Sequence, residues 1–272
     1  MAVALREVSN VWQQACSEVA AELLRECGIV APPVDARDLV PCLGLPVLRG
    51  GEHSGWRRTG RIGGHESALV RPDEGIERNQ WALAREIGDC LAWQVFDLVE
   101  VDPRETSNRQ REQVANLLAS CLLLPEEWFE RDAAVLDGDV LELKRMYSTA
   151  SHELILMNLL KLRRLTLVSV FVQGELVQRR GNGQLTPPSL LPVERQAWSI
   201  VRASGRPSEA SAEGVRVQCW SVTEGGWQRE LMRTTALVDI DETPSADDDE
   251  MRVQWDDLQY EMIDAERVGG KA

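Results

Sequence analysis

The stretch Trp81-Ala-Leu-Ala-Arg-Glu-Ile-Gly-Asp89 lies in the segment that decides the fold. Apolar residues recur through this segment at steps of three and four, which predicts a helix from about Arg78 to Val99. The predicted helix buries one stripe of apolar and small side chains, made of Trp81, Ala84, Ile87, Gly88, Leu91, Ala92 and Val95. A helix with such a stripe needs a partner to pack against.

A second long helix is predicted from Arg109 to Leu124, and Pro125 ends it. Its sequence reads Glu112-Gln-Val-Ala-Asn-Leu-Leu-Ala-Ser-Cys-Leu-Leu-Leu-Pro125. A polar connection from Pro103 to Asn108 separates the two helices.

Together these stretches resemble two motifs of the ImmA/IrrE family of metallo-endopeptidases, F-T-x-A-H-E-x-G-H and E-x-x-A-N-x-x-A-x-x-L-L-x-P. The opening of the chain, from Gly28 to Asp35 and from Leu43 to Val47, is also similar to that family. The resemblance extends roughly from Val8 to Leu162. It implies a mainly helical, zincin-like (minigluzincin-like) N-terminal domain with a small sheet.

The zinc-binding motif is degenerate in this chain. In an active member, two histidines four residues apart bind zinc, and the glutamate after the first histidine is the general base. The resemblance puts Arg85 and Asp89 at the histidine positions, Glu86 at the general-base position and Glu112 at the third ligand position. A guanidinium stays protonated and cannot bind a metal. We therefore expect no cofactor and a vestigial Glu86, whereas zinc would be the cofactor of an active enzyme.

The residues at these positions have a structural interpretation too. Arg85 and Asp89 share one helix face, and an exposed pair of this kind contributes only about 0.3 to 0.5 kcal/mol. We favour a buried, bidentate bridge from Arg85 to both Asp89 and Glu112, which would tie the two helices together without zinc.

The histidines elsewhere in the chain do not replace the missing ligands. His65 and His53 fall in or beside a glycine-rich stretch, and no second histidine stands four residues after His152. An active zinc site needs several ligands together. We expect surface or capping roles for them, although His53 in a loop would in principle be able to approach the cleft.

Composition is that of a globular protein, with 43% hydrophobic and 27% charged residues in 272. The net charge of -14 argues against direct nucleic-acid binding. Six cysteines without a C-x-x-C pair suggest reduced, buried thiols, and no stretch is long and apolar enough for a membrane span. We expect a cytoplasmic, bacterial-type protein.

The patterns predict an α+β fold made of three parts. Residues 1–164 form the peptidase-like domain, which begins with a helix from Val8 to Cys27 and a short helix from Asp35 to Leu43. Residues 165–240 form a smaller α+β domain. The remaining predicted elements are strands 45–48 and 67–71, helices 136–147 and 151–162, hairpins 165–180 and 215–237, and helix 194–203.

Residues 241–272 form an acidic tail. From Asp239 onward the chain has twelve acidic and three basic residues, a net charge of -9. Its apolar residues recur at helical spacing, which predicts an amphipathic helix that packs on this chain or on a partner. They are Met251, Trp255, Leu258 and Met262.

Three functions remain open at this point. We favour a non-catalytic relative of the peptidases that binds a protein partner, such as a helix-turn-helix regulator, in transcriptional or stress control. An active metallo-endopeptidase with unusual ligands is the first alternative. A nucleic-acid-linked transcriptional regulator is the second.

Overall fold

A computed structural model of the chain describes residues 2–44, 47–49, 68–70, 75–162, 164–183, 188–212, 214–224 and 227–237. In these residues a helical first half precedes an antiparallel sheet, so the fold is α+β, as predicted. Predictions that concern His53, His65, the glycine-rich stretch 50–64 or the acidic tail lie outside the described residues.

The first half begins with α1 (Ala2–Glu26) and a short α2 (Ala36–Leu39), followed by a 3-10 turn at Pro41–Leu43. Two short strands, β1 (Val47–Arg49) and β2 (Ala68–Val70), pair in parallel. The long helices α3 (Ile76–Leu98) and α4 (Asn108–Leu123) come next. Six of the seven stripe residues are buried, whereas Trp81 is half-buried against the same core.

Three short helices complete this half, namely α5 (Glu126–Val135), α6 (Val140–Met146) and α7 (His152–Asn158), and a 3-10 turn follows at Leu159–Lys161. The sequence pattern did not predict α5. It predicted a helix over 136–147, whereas α6 begins only at Val140. Asp137 and Gly138 have positive φ angles of 50° and 65°, which interrupt the helix. Asp139 then caps α6 by accepting from the backbone N–H groups of Leu141 and Glu142.

The second half is a five-stranded antiparallel sheet with one helix. Its elements are β3 (Thr166–Val172), β4 (Glu175–Gly181), α8 (Pro192–Ser204), β5 (Ser208–Ala212), β6 (Val215–Glu224) and β7 (Trp227–Ala236). The strand order is β4-β3-β7-β6-β5. The turn between β3 and β4 has positive φ at Gln173 and Gly174, as a two-residue hairpin requires.

Both faces of the sheet are covered by helices. One face, with Val168, Val170, Trp220 and Leu231, packs on residues of α5 to α7. The other face, with Phe171, Val217 and Met232, packs on α8. The first of these clusters contains residues from both sides of position 164, and a separate domain beyond that position stays a prediction.

A buried ion pair links α8 to the sheet. Arg179 of β4 donates from Nη2 to Glu194 Oε1 and Oε2 of α8 at 3.1 and 2.9 Å. Their side chains are 8% and 0% exposed. The other donors of Arg179 reach Ser169 Oγ at 2.6 Å and the Pro188 carbonyl at 2.8 Å. Both charged groups are therefore buried and hydrogen-bonded, which a buried ion pair needs in order to be stable.

The cysteines only partly fit the prediction of reduced, buried thiols. Cys16, Cys121 and Cys219 are free and buried. Cys27 and Cys42, however, form a disulfide with their Cα atoms 5.9 Å apart. This corrects the prediction for those two residues, which meet because the turn at Gly28 brings the short 3-10 helix back toward the end of α1.

Candidate functional site at the α3–α4 pair

The helices α3 and α4 pack together and approach closely at one point. A Cβ atom added to Gly88 of α3 would overlap the carbonyl oxygen of Ala115 and lie 3.2 Å from Leu118 Cβ of α4. Both facing residues are buried. Glycine is therefore required here by the close packing of the helices.

One hydrogen bond links the two helices beside this contact. Arg85 is half-buried, and its Nε donates to Asn116 Oδ1 at 2.9 Å. Asn116 belongs to the second motif, but nothing in the motif favours its amide over the neighbouring carboxylates as the partner of Arg85. The partner of Arg85 in α4 was therefore missed.

The predicted site residues are spaced one turn apart along each helix. Arg85 and Asp89 are one turn apart on α3, and Glu112 and Asn116 are one turn apart on α4. An antiparallel packing of the two helices about the Arg85–Asn116 bond predicts that Asp89 lies near Glu112. Arg85, Glu86 and Glu112 are half-buried, and Asp89 is exposed. Ion pairs from Arg85 to Asp89 and Glu112 stay predictions.

The start of α3 is held in place by two polar contacts. Buried Gln80 accepts from the Ala36 N–H at 2.7 Å and donates to Asp35 Oδ1 at 2.7 Å. Lys144 of α6 donates from Nζ to Glu77 Oε1 at 2.8 Å. These contacts fix the end of α3 that precedes Arg85.

The pKa of the Asp35 carboxyl group is well below its usual value. Its hydrogen bond with the Arg37 guanidinium is the main cause that lowers its pKa to about 2, and the bond from Gln80 lowers it further against the effect of burial. The carboxylate is therefore charged at neutral pH, where it also caps α2 by accepting from the Arg37 N–H.

The start and rear of α4 are fixed as well. Ser107 and Gln110 form a reciprocal capping box at its first turn. Behind the helix, Gln13 of α1 donates to Glu126 Oε2 at 3.2 Å, and Ser17 donates to the same oxygen. Burial raises the pKa of the Cys121 thiol, which lies beside these groups. This thiol is therefore protonated and unreactive.

No group of three or more histidine, cysteine, aspartate or glutamate residues with metal-site geometry occurs in the described part of the chain. Among the histidines, His152 is the first residue of α7, directly after the Ser151 cap. Within the same residues, none of the helices is long and apolar enough to cross a membrane.

Comparison with known proteins gives a likeness of fold alone. No family model and no curated protein matches the sequence. A solved structure described as a Mycobacterium tuberculosis transcriptional regulator is similar, with a TM-score of 0.56 and 14% identity. The likeness covers 83% of this chain and 81% of that one. The arrangement of helices and sheet described above is therefore shared with that protein.

Proposed function

We propose that this chain is a non-catalytic relative of the ImmA/IrrE metallopeptidases that acts as a protein-binding regulatory module. The observation that carries the proposal is the position of Arg85. By the resemblance, Arg85 stands at the position of the first zinc-binding histidine of the motif, and its guanidinium is hydrogen-bonded to Asn116 of the facing helix. A permanent cation at this point opposes a zinc ion by repulsion and supplies no lone pair to bind it.

The surface around Arg85 has features of a binding face. Trp93 lies on the same side of α3 as Arg85 and Asp89, at steps of four residues, and is 61% exposed. An exposed tryptophan beside mixed charges is typical of protein interfaces, where aromatic and arginine side chains contribute most of the affinity. A partner segment would pack on Trp93 and pair with Asp89.

A restored zinc motif tests this proposal. Arg85→His with Asp89→His recreates two histidines four residues apart, with Glu112 predicted to lie near the second. We expect this double variant to bind one zinc per chain, while the unaltered chain binds none. Zinc bound equally tightly by both proteins would refute the loss of the site.

The control is a second histidine pair on the same helix. Arg78→His with Ala82→His has the same spacing, but it lies away from the motif positions, and the resemblance provides no third ligand for it. This control should bind zinc weakly and well below one ion per chain, because protein zinc sites need three or four ligands.

Transcriptional control is the second candidate, and the fold likeness to a protein described as a transcriptional regulator favours it. Direct contact with DNA would oppose the net charge of -14. Anisotropy of a labelled duplex at about 50 and 200 mM salt tests it, because phosphate contacts make binding strongly salt-dependent. Salt-dependent binding at micromolar protein would favour this function over the protein-binding one.

A further inference from the structure

Three arginines gather at the end of the sheet where β7 finishes, and we call Arg164, Arg216 and Arg233 the arginine cluster. Arg216 of β6 pairs in register with Thr235 of β7, and Thr235 pairs with Thr166 of β3. Arg164 lies two residues before the start of β3. Burial lowers the pKa of Arg233, Asp137 raises it, and the charges of Arg216 and Arg164 lower it further. The three guanidinium groups therefore repel one another.

The positive charge of this cluster is only partly compensated. Arg233 is 5% exposed, and its Nη1 donates to two neutral acceptors, the Asp137 carbonyl at 2.8 Å and Gln218 Oε1 at 3.2 Å. Its buried Nε has no hydrogen-bond partner among the described residues. Three cations close together favour an anionic partner, and the exposed Arg164 is the member of the cluster that such a partner can reach.

Two carboxylates do lie at the cluster, and both are engaged by Arg216. Asp137 pairs with Arg216 Nη1, and Glu209 accepts from its Nε and Nη2 at 2.8 and 2.9 Å. Arg164 is exposed, and no carboxylate pairs with it within the described parts of the chain. The cluster therefore has three positive and two negative charges.

The chain itself supplies an anionic partner at this place. β7 finishes beside the cluster, where the Leu237 N–H donates to the Gly214 carbonyl at 2.8 Å, and residues 239–272 follow with a net charge of -9. Residues 164–237 contain nine arginines and six acidic residues, so this part of the chain has the opposite sign. Leu237 and Val135 are 56% and 78% exposed near the cluster.

We propose that the acidic segment 239–272 docks on the arginine cluster of its own chain. Its carboxylates face Arg164 and Arg216, and its apolar stripe, which contains Trp255 and Leu258, covers Val135 and Leu237. The thirteen residues between Leu237 and Met251 span up to roughly 45 Å, so the segment reaches the cluster easily. Attachment to the same chain gives a local concentration of about millimolar, which strengthens weak contacts.

This inference is independent of the proposed function, because the cluster lies on the sheet and the candidate site lies between α3 and α4. Docking would make the sheet end a regulated surface, covered at low salt and exposed when a stronger anionic partner or high salt displaces the segment.

Hydrogen–deuterium exchange of the full-length chain at low salt tests the proposal. Arg164→Glu reverses the charge of an exposed residue, and Arg206→Glu does the same at an exposed arginine after α8, away from the cluster. Amides of residues 251–262 should exchange about fivefold faster in Arg164→Glu and at the wild-type rate in Arg206→Glu. Equal exchange in all three proteins would overturn the proposal.

A second variant, in the acidic segment, tests the same contact. Trp255→Ser should increase exchange about fivefold at residues 135–138, which the docked stripe covers, and leave α3 unchanged. Protection that rises with protein concentration would mean that the segment of a second copy occupies the cluster, and would overturn docking within one chain.

Discussion

Gly88 of α3 faces the carbonyl oxygen of Ala115 on α4 so closely that even a methyl group would overlap it. Gly88→Ala should therefore destabilise the protein by about 1 to 3 kcal/mol, the usual cost of overpacking. Alanine favours the helix by about 1 kcal/mol, which offsets part of that cost. Urea unfolding measures the difference.

The matched control is Gly75→Ala, before α3, where an added Cβ would lie 3.8 Å from its nearest neighbour, Glu77 Oε2. We expect its free energy of unfolding to stay within about 0.5 kcal/mol of the wild type. If Gly88→Ala were as stable as this control, the helices would not be in close contact at this point.

The two long helices could be predicted from sequence because each has a sustained apolar stripe and a clear end. The missed elements have weaker signals. Residues of β5, Ser208–Ala212, include no β-branched or aromatic side chain, and the strand is formed by pairing with β6. The Cys27–Cys42 disulfide depends on a chain reversal that spacing alone does not reveal.

The residues of the candidate site could be assigned to two helices from sequence, but their contacts could not. The motifs place Arg85, Asp89, Glu112 and Asn116 on two helices, and the structure shows the hydrogen bond between Arg85 and Asn116. Which acceptor Arg85 chooses depends on the exact register of the pair, and a one-residue change in that register alters the neighbour. Sequence periodicity does not fix that detail.

A double-mutant cycle tests the link between Arg85 and Asn116. Each single alanine variant should lower the free energy of unfolding by about 1 kcal/mol, and the pair should lose less than the sum because the two residues share one hydrogen bond. Arg25→Ala is the control, since its ion pair with Glu22 is exposed and contributes little. Additive losses at Arg85 and Asn116 would show that the contact contributes nothing.

The buried pair of Arg179 and Glu194 should be costly to break. Glu194→Gln leaves the Arg179 guanidinium buried without its counter-charge, and we expect a loss of about 3 to 5 kcal/mol. Removal of the exposed Arg145–Glu142 pair by Glu142→Gln should change stability by less than about 1 kcal/mol. Similar losses for the two variants, measured by denaturant unfolding, would contradict the burial of the Arg179 pair.

The charge of Asp35 should make the stability of the protein depend on pH. Its pKa in the folded protein is lowered to about 2, below the ordinary value of 3.8, so its charged form stabilises the fold. That contribution is fully present above about pH 5 and is lost as the pH falls through 4 toward 2. Asp35→Asn keeps an oxygen to cap α2 but removes the charge.

We therefore expect Asp35→Asn to be less stable than the wild type by about 1 kcal/mol at pH 7 and nearly equal to it at pH 2. Urea unfolding across this range measures both proteins under the same conditions. A stability difference that is the same at both pH values would mean that the charge of Asp35 is not the cause.

We propose that Arg85 stands where active relatives have a zinc ligand and that the chain binds no catalytic metal. Mass spectrometry of the metal content tests it most directly, on full-length protein expressed in zinc-supplemented medium without a metal-binding tag. We expect far less than one metal ion per chain. One tightly bound zinc per chain would contradict it and would point to a metallopeptidase with different ligands.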